Sequence, residues 1–255
     1  MTTADHYNQP ELAILYDDEN AWDASADFYL GLARRFDAKT LLDLGCGTGT
    51  VTRGIVKAIG GSGVGVDPAA PILDVARRNT EGEAVEWINA DAREIRLGRY
   101  FDLIIMTGHA FQAFLTEADQ IALFRTVAAH LAPEGRFAFD SRNPAAREWL
   151  EWGPAESRRV VDTAAYGAVE IWNDARMNPD RILDVEEHYR ILASGKRLRS
   201  DFRLRFSAPE ELWDGMMAAG LAVEHCYGDW DGSAFKPNRR EIIIVAKGPA
   251  MGGHA

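Results

Sequence analysis

Cysteines, long apolar runs and a basic leader are scarce or missing in this chain. Its 255 residues include two cysteines, Cys46 and Cys226, which lie far apart and form no CxxC pair. Neither a disulfide framework nor a zinc cluster is therefore expected, and we expect no bound metal. No apolar stretch approaches the roughly 20 residues that cross a bilayer. The polar, acidic start lacks the features of a signal peptide, so we expect a cytoplasmic location and no membrane partner.

Positive charge is also in short supply. Lysine and arginine total 28 against 39 aspartates and glutamates, which gives a formal net charge of −11. A general nucleic-acid binder usually carries a basic surface that neutralises phosphates, so no nucleic-acid partner is expected, although a local basic groove stays open. The length suits one large domain, or one domain with a smaller insertion.

Strands alternate with helices from residue 40 onward. Short apolar strands are predicted at 40–44, 63–66, 85–89, 101–106 and 136–140, with helices at 51–59, 71–78 and 119–130. This alternation predicts βαβ units, and hence an α/β fold with a doubly wound, Rossmann-like parallel sheet. Several of the strands are almost wholly apolar, as expected where helices cover both faces of a sheet.

The pattern becomes β-rich after about residue 143. Antiparallel strands are predicted near 157–165, 168–177, 181–192 and 196–206, followed by a helix with Ser207 as its N-cap and by strands at 221–227 and 241–246. The sequence thus predicts an N-terminal helical cap over 1–39, a core over 40–142 and 207–247, an antiparallel β-rich insertion over 143–206, and a flexible tail over 248–255.

A glycine-rich loop follows the first predicted strand, in the run Asp43-Leu44-Gly45-Cys46-Gly47-Thr48-Gly49. Glycines between a strand and a helix let the backbone approach a ligand closely, and the helix N-terminus attracts a phosphate or a carboxylate. A dinucleotide site of the G-x-G-x-x-G/A type is the nearest alternative, but its third small residue is replaced here by Thr50.

This run resembles the first motif of the class I S-adenosylmethionine-dependent methyltransferases, especially their small-molecule branch. The resemblance covers about 40–140, with the expected ending at 207–247. It implies S-adenosyl-L-methionine as cofactor, S-adenosyl-L-homocysteine as product, and a small-molecule methyl acceptor. It also implies cofactor contacts from the first motif (Asp43, Gly45, Gly47, Gly49), from the second strand end for the ribose (Asp67, Pro68), from the third for the adenine (Asp91, Ala92) and from the fourth for the sulfonium (Met106, Thr107).

The atom methylated is left open by the sequence among N, O and C. His109, just past the fourth strand, is the candidate for a general base, and shaping of the pocket is its alternative. Phe111 and Gln112 are candidates for lining the acceptor pocket, with core packing as the alternative for Phe111. An NAD-linked oxidoreductase and a non-catalytic regulator that binds the cofactor are the competing functions.

The N-terminal segment is expected to fold over the cofactor, as it does in resembling enzymes. Tyr16 and Trp22 are then candidates for covering it, and simple helix packing is the alternative. Neither the sequence nor the resemblance decides between a monomer and a homodimer.

The basic run over 196–206 alternates charged and apolar residues, so its charges share one strand face. A two-residue turn at Ser194-Gly195 would place Glu186 opposite Arg203, and a solvated, charge-paired face is the favoured interpretation. Asp184 would then lie opposite Arg205, and His188 opposite Asp201.

The same register places Glu187 on the apolar face, beside Tyr189 and opposite Phe202. A carboxylate there needs a partner or a ligand. We therefore hypothesise that the insertion roofs the acceptor pocket, with Glu187 or Tyr189 facing it. A dimer interface is the alternative.

Overall fold

The computed structural model describes residues 5–248 of the chain. Apart from Gly248, the flexible tail predicted over 248–255 lies outside these residues. The helices are, in chain order, α1 (Asp5–Asn8), α2 (Pro10–Ala13), α3 (Tyr16–Glu19), α4 (Ala24–Arg35), α5 (Thr50–Ile59), α6 (Ala70–Asn79), α7 (Glu117–His130) and α8 (Pro209–Ala218).

The larger sheet, sheet A, has the predicted doubly wound arrangement. Its strands are β1 (Thr40–Leu44), β2 (Ser62–Asp67), β3 (Val85–Asn89), β4 (Phe101–Met106), β5 (Leu131–Arg142), β10 (Ala222–Tyr227) and β11 (Glu241–Lys247). They lie in the order β10-β11-β5-β4-β1-β2-β3, and β11 runs antiparallel to both of its neighbours. The chain order reverses between β1 and β4, and open α/β sheets bind ligands at the carboxyl ends of strands at such a point.

Both faces of sheet A are buried because its central strands are apolar on both sides. Successive side chains of a strand point to opposite faces. Leu41 and Leu103 pack with α4 and α5 on one face, while Leu42 and Ile104 pack with α7 and α8 on the other. This two-sided burial fixes the strand ends, and it is these ends that carry the predicted site.

The predicted insertion contains a second, antiparallel sheet, sheet B. Its strands β6 (Arg159–Thr163), β7 (Gly167–Met177), β8 (Ile182–Ile191) and β9 (Arg197–Arg205) are neighbours in chain order. Leu12 and Leu15, on and beside α2, pack against the inner face of β7 and β8 around Tyr189. The N-terminal segment therefore lies between the two sheets.

The predicted register of the β8–β9 hairpin is wrong by two residues. The turn spans 192–195, where Gly195 N–H donates to the carbonyl of Ile191, and is not the two-residue turn assumed from Ser194-Gly195. A shift of two residues leaves every side chain on its predicted face, because the period of a strand is two. The apolar and charged faces are therefore as predicted, while the opposite partners are different.

The corrected cross-strand partners are Asp184 with Arg203, Glu186 with Asp201, His188 with Arg199 and Glu187 with Ser200. Two of these residues, Glu186 and Asp201, carry like charges. The guanidinium of Arg199 compensates them, since it lies 3.1 Å from the Glu186 carboxylate and 2.7 Å from that of Asp201.

The N-cap of α8 is Ala208, and the prediction of Ser207 is wrong by one residue. The Glu211 carboxylate accepts a hydrogen bond of 2.7 Å from the Ala208 N–H, which satisfies the donor of the N-cap residue itself, while Ala208 offers no side-chain acceptor to the first turn. Ser207 is buried instead, and its hydroxyl accepts a hydrogen bond from Gln120 at 2.9 Å.

Candidate active site

A cavity lies between the carboxyl edge of sheet A and the inner face of sheet B, with the N-terminal helices along one side. The glycine loop and the ends of β2 and β4 form its floor, and residues of β7, β8 and β9 form its roof. The crevice at the topological switch point is therefore closed from above by the insertion.

Two of the three loop glycines face this cavity. Gly45, Gly47 and Gly49 all have left-handed backbone angles, with φ of 77°, 56° and 74°. Gly45 and Gly47 line the cavity. A Cβ at Gly49 would lie 2.1 Å from the Trp87 ring, so this glycine is required for packing and does not line the cavity.

Asp43 lies buried beneath the loop and does not line the cavity. Its Oδ2 accepts a hydrogen bond from the Thr52 hydroxyl at 2.6 Å, while its Oδ1 makes none within residues 5–248. Burial raises the pKa of Asp43 to about 7. The carboxylate thus anchors the start of α5 from beneath the glycine loop.

Asp67, at the end of β2, lines the cavity together with Pro68. Its two oxygens accept hydrogen bonds from the N–H of Ala69 at 2.9 Å and of Gly47 at 3.1 Å. Burial raises the pKa of Asp67 to about 6. A carboxylate held this way beside the glycine loop fits the vicinal hydroxyls of a ribose, because each oxygen has further lone pairs.

The ends of the third and fourth strands contribute less than predicted. Asp91 pairs with Arg93 at 2.6 Å, Ala92 is buried in the core, and neither lines the cavity. Met106 is also a core residue, whereas Thr107 lines the cavity. The adenine assignment therefore stays a prediction.

Tyr16 lines the cavity beside the glycine loop, and its role in covering the cofactor stays a prediction. A Cβ at Gly47 would lie 3.5 Å from its ring, an ordinary contact distance, so the ring lies directly against the glycine loop. The helix that carries Tyr16 is fastened to the loop, because the Asp17 carboxylate accepts hydrogen bonds from the hydroxyls of Thr48 and Thr50.

Trp22 does not line the cavity, and its position matches the alternative of simple helix packing. Its ring packs on α5 at Gly54, where a Cβ would lie 2.1 Å from the ring. Its indole N–H donates to the Asp27 carboxylate at 2.8 Å. The chain turns away from the cavity after α3, so the Trp22 ring lies on the outer side of α5.

His109 lines the cavity and belongs to a buried polar network. Its backbone has φ of 58°, and its N–H donates to Asp140 at 2.7 Å. Its ring Nε2 lies 2.9 Å from the Glu241 carboxylate. The hydroxyl of Tyr29 donates to the second oxygen of Asp140 at 2.5 Å.

Burial, assisted by the nearby Arg142 charge, lowers the pKa of His109 to about 4, and burial raises the pKa of Glu241 to about 7. Both directions disfavour an ion pair, so the imidazole is neutral at neutral pH. The Glu241 carboxyl can therefore take up one proton near pH 7 beside a neutral imidazole, which suits acid–base chemistry.

Phe111 and Gln112 do not line the cavity. Phe111 is fully buried, with its ring centroid 4.7 Å from that of Phe139, so the core-packing alternative is correct. Gln112 is also buried, and its side-chain oxygen accepts a hydrogen bond from Arg142 at 2.9 Å. It acts on the cavity only through that arginine.

Glu187 faces the cavity, whereas Tyr189 does not. Tyr189 is buried against the N-terminal segment, and its hydroxyl donates to the Glu187 carboxylate at 2.8 Å. Of the two residues offered by the sequence for the roof, Glu187 is therefore the one at the cavity, and Tyr189 supports it.

Several cavity residues were missed from the sequence. They are Tyr7, Glu19, Asn20, Arg142, Trp152, Arg159, Asn173 and Leu204. Arg142 ends β5, so the rule that found His109 and Asp67 at strand ends could have found it too. Nothing local marks Asn173 or Tyr7, which reach the cavity through the packing of distant segments.

Two negative findings concern residues 5–248. No cluster of three histidine, cysteine, aspartate or glutamate residues in this range could hold a metal ion. No helix in it is long and apolar enough to cross a membrane.

Comparisons with known proteins agree with this geometry. A methyltransferase domain model matches residues 41–135. A cypemycin N-terminal methyltransferase from Streptomyces sp is 35% identical over 214 residues, which cover 83% of this chain and 84% of that protein.

Solved structures share the fold. The sugar N-methyltransferase KedS8 from Streptoalloteichus sp ATCC 53650 has a TM-score of 0.73 and 22% identity, covering 92% of this chain and 91% of its own. The S-adenosylmethionine-bound amino pentose methyltransferase CalS10 from Micromonospora echinaspora has a TM-score of 0.68 and 23% identity, covering 89% and 92%. With the 35% identity above extending over most of both chains, this chain belongs to the S-adenosylmethionine-dependent methyltransferases of class I fold.

Proposed function

We propose that this methyltransferase transfers the methyl group of S-adenosyl-L-methionine to an amine nitrogen of a small molecule or short peptide and releases S-adenosyl-L-homocysteine. The observation that carries the proposal is the presence of a neutral imidazole, His109, and a carboxylate, Glu187, on one cavity. Because the chain belongs to the methyltransferases, the two competing functions that the sequence left open, an NAD-linked oxidoreductase and a non-catalytic regulator, are not retained.

The cavity fits the cofactor at its glycine-loop end. Gly45 and Gly47 would admit its aminoacyl part, because both line the cavity and a backbone without side chains can approach a ligand closely. Asp67 would hold the ribose hydroxyls. When bound, the cofactor supplies a methyl group on a sulfonium, whose thioether leaves without needing a proton.

An amine acceptor explains the charges at the opposite end. An ammonium group is attracted to a carboxylate, and Glu187 is held in the roof by the Tyr189 hydroxyl. The nitrogen must lose a proton so that its lone pair can attack. His109 can accept that proton on one ring nitrogen while its Nε2 side transfers one to Glu241, 2.9 Å away.

The names of the relatives support nitrogen as the methylated atom. The 35%-identical relative is named as an N-terminal methyltransferase, and the structural neighbours include a sugar N-methyltransferase. The sequence alone left N, O and C open, and the carboxylate in the roof together with these names favours N.

A direct test uses matched pairs of amines and alcohols as acceptors, including dipeptides and amino sugars. We expect methylated amines by mass spectrometry, with S-adenosyl-L-homocysteine formed in equal amount. Methylation of the alcohols in preference to the amines would contradict the proposal.

Glu187→Gln tests the role of the roof carboxylate. We expect KM for the amine to rise by about tenfold to a hundredfold, because a charge-assisted hydrogen bond is lost. The matched control is Glu186→Gln, since Glu186 lies on the outer face of the same strand beside Arg199. Equal effects of the two substitutions would remove Glu187 from acceptor binding.

A further inference from the structure

Arg142 is a half-buried cation whose guanidinium has donors that no described residue accepts. It ends β5 and lines the cavity, and its side chain is 19% exposed. Within residues 5–248 its guanidinium makes one hydrogen bond, from Nη1 to Gln112 at 2.9 Å, and its Nε has no hydrogen-bond partner. A guanidinium carries five N–H donors, so most of its capacity is not used by the described chain.

The surroundings hold the charge of Arg142 in place without saturating those donors. The Glu148 carboxylate lies 3.9 Å from Nε, which is too far for a hydrogen bond. The guanidinium carbon lies 4.8 Å from the centre of the Trp152 ring, and Glu241 is the cross-strand neighbour. A buried donor without a partner, such as Nε here, costs free energy, and a ligand oxygen would remove that cost.

Asn173, on the roof of the cavity, has a hydrogen-bond acceptor that no described residue uses. It lies on β7 directly opposite Glu187 and lines the same cavity. Its side-chain Oδ1 is buried and makes no hydrogen bond to any described residue. The cavity that holds unused donors on its floor therefore also holds an unused acceptor on its roof, beside the proposed amine site.

We propose that Arg142 and Asn173 together recognise an amide group next to the methylated amine, with Arg142 donating to the carbonyl oxygen and Asn173 accepting from the N–H. An amide presents one acceptor and one donor in a rigid plane, which matches the unpaired donors of Arg142 and the unpaired acceptor of Asn173. The acceptor class is then an α-amino amide, the N-terminal residue of a peptide. This inference rests on the proposed amine methylation and adds its substrate class.

Three acceptor pools test the inference with the whole chain. The first contains Xaa-glycinamides with apolar, polar and charged first residues and a free amine. The second replaces the linking N–H by an ester oxygen, and the third replaces the whole linkage by an E-alkene. We expect kcat/KM to fall about threefold to tenfold from amide to ester, and a further tenfold to hundredfold from ester to alkene, since only the second step removes a partner of a charged donor.

Substitutions assign each step to its residue. Asn173→Leu should abolish the amide-to-ester difference, and Asn173→Asp, which keeps an acceptor oxygen, should restore it. Arg142→Met should abolish the ester-to-alkene difference. The matched control is Arg136→Met, because Arg136 lies in the middle of β5, six residues before Arg142, in an ion pair with Glu224 at 2.6 Å, and should leave both differences unchanged.

Ratios between acceptors separate recognition from a purely structural role. Equal kcat/KM of the wild type for the three pools would overturn the inference, and so would preferred methylation of an amino-sugar pool. A uniform loss in Arg142→Met, with the ester-to-alkene ratio kept, would also overturn the role of that residue. If Arg142→Met fails to fold, the wild-type ratios decide. Methylation at oxygen would instead refute the proposed function itself.

Discussion

Asp67→Asn removes the negative charge at the end of β2 while keeping the size of the side chain. The carboxylate now accepts hydrogen bonds from the N–H groups of Gly47 and Ala69. An amide has one oxygen, so one of these N–H groups would face an NH2 group. The two ribose hydroxyls also lose a charged acceptor. Two charge-assisted hydrogen bonds at about 1.5 kcal/mol each correspond to a loss of about a hundredfold in affinity for S-adenosyl-L-homocysteine.

The pH dependence of binding follows from the same residue. Burial raises the pKa of Asp67 from 3.8 to about 6, so the folded protein holds an extra proton between these values. The stability contribution of this group therefore falls as pH rises through that interval. Ribose hydroxyls favour the ionised carboxylate, so affinity should increase from pH 5 to 7 with release of a proton. Asp67→Asn should lose this dependence.

Isothermal titration calorimetry with S-adenosyl-L-homocysteine, in buffers of different ionisation enthalpy, measures both effects. The matched control is Asp74→Asn, because Asp74 lies exposed on α6 in an ion pair with Arg77 at 2.9 Å. A dissociation constant of Asp67→Asn within threefold of the wild type, in a folded protein, would refute the ribose assignment.

Three further predictions concern the base, the core and the N-terminal helix. His109→Asn should lower kcat for the amine by about 10²–10⁴ without changing cofactor affinity, and an unchanged kcat in this variant would exclude His109 as the base. The kcat of the wild type should rise with pH through about 7 as Glu241 loses its proton, and Glu241→Gln should remove that rise. Phe111→Ala should lower the free energy of unfolding, measured by urea denaturation, by about 3–5 kcal/mol while the KM for the acceptor stays constant. A raised KM at unchanged stability would instead indicate that Phe111 contacts the acceptor. Asp17→Ala should weaken cofactor affinity several-fold by freeing α3 from the hydroxyl of Thr48, and calorimetry showing no change would make that contact purely structural.

Much of the fold was accessible from the sequence because its signals are local. The parallel core and the four antiparallel strands over 143–206 follow from apolar runs and period-two alternation, whereas the antiparallel ending was expected from the family resemblance. The faces of β8 and β9 were predicted correctly, since face depends only on parity. Their register was not, because the length of the turn at 192–195 is set by its own hydrogen bonds.

The residues of the candidate site also fall into two groups, those that the sequence could indicate and those that only chain packing placed. The family resemblance pointed to Asp67 and the place after the fourth strand pointed to His109, and both line the cavity because the carboxyl ends of parallel strands meet at one edge. The place of Trp22 on α5 could not be read from its position beside Tyr16, because the chain turns between them.

The sequence by itself determined which segments form strands, where the glycine loop lies and which acids follow the strands, because backbone preference and side-chain periodicity act over a few residues. Only the tertiary structure brought Arg142, His109 and Glu241 together and placed Asn173 above them, since these residues come from strands far apart in the chain. Their contacts depend on how two sheets and an intervening N-terminal segment pack, which no local pattern encodes.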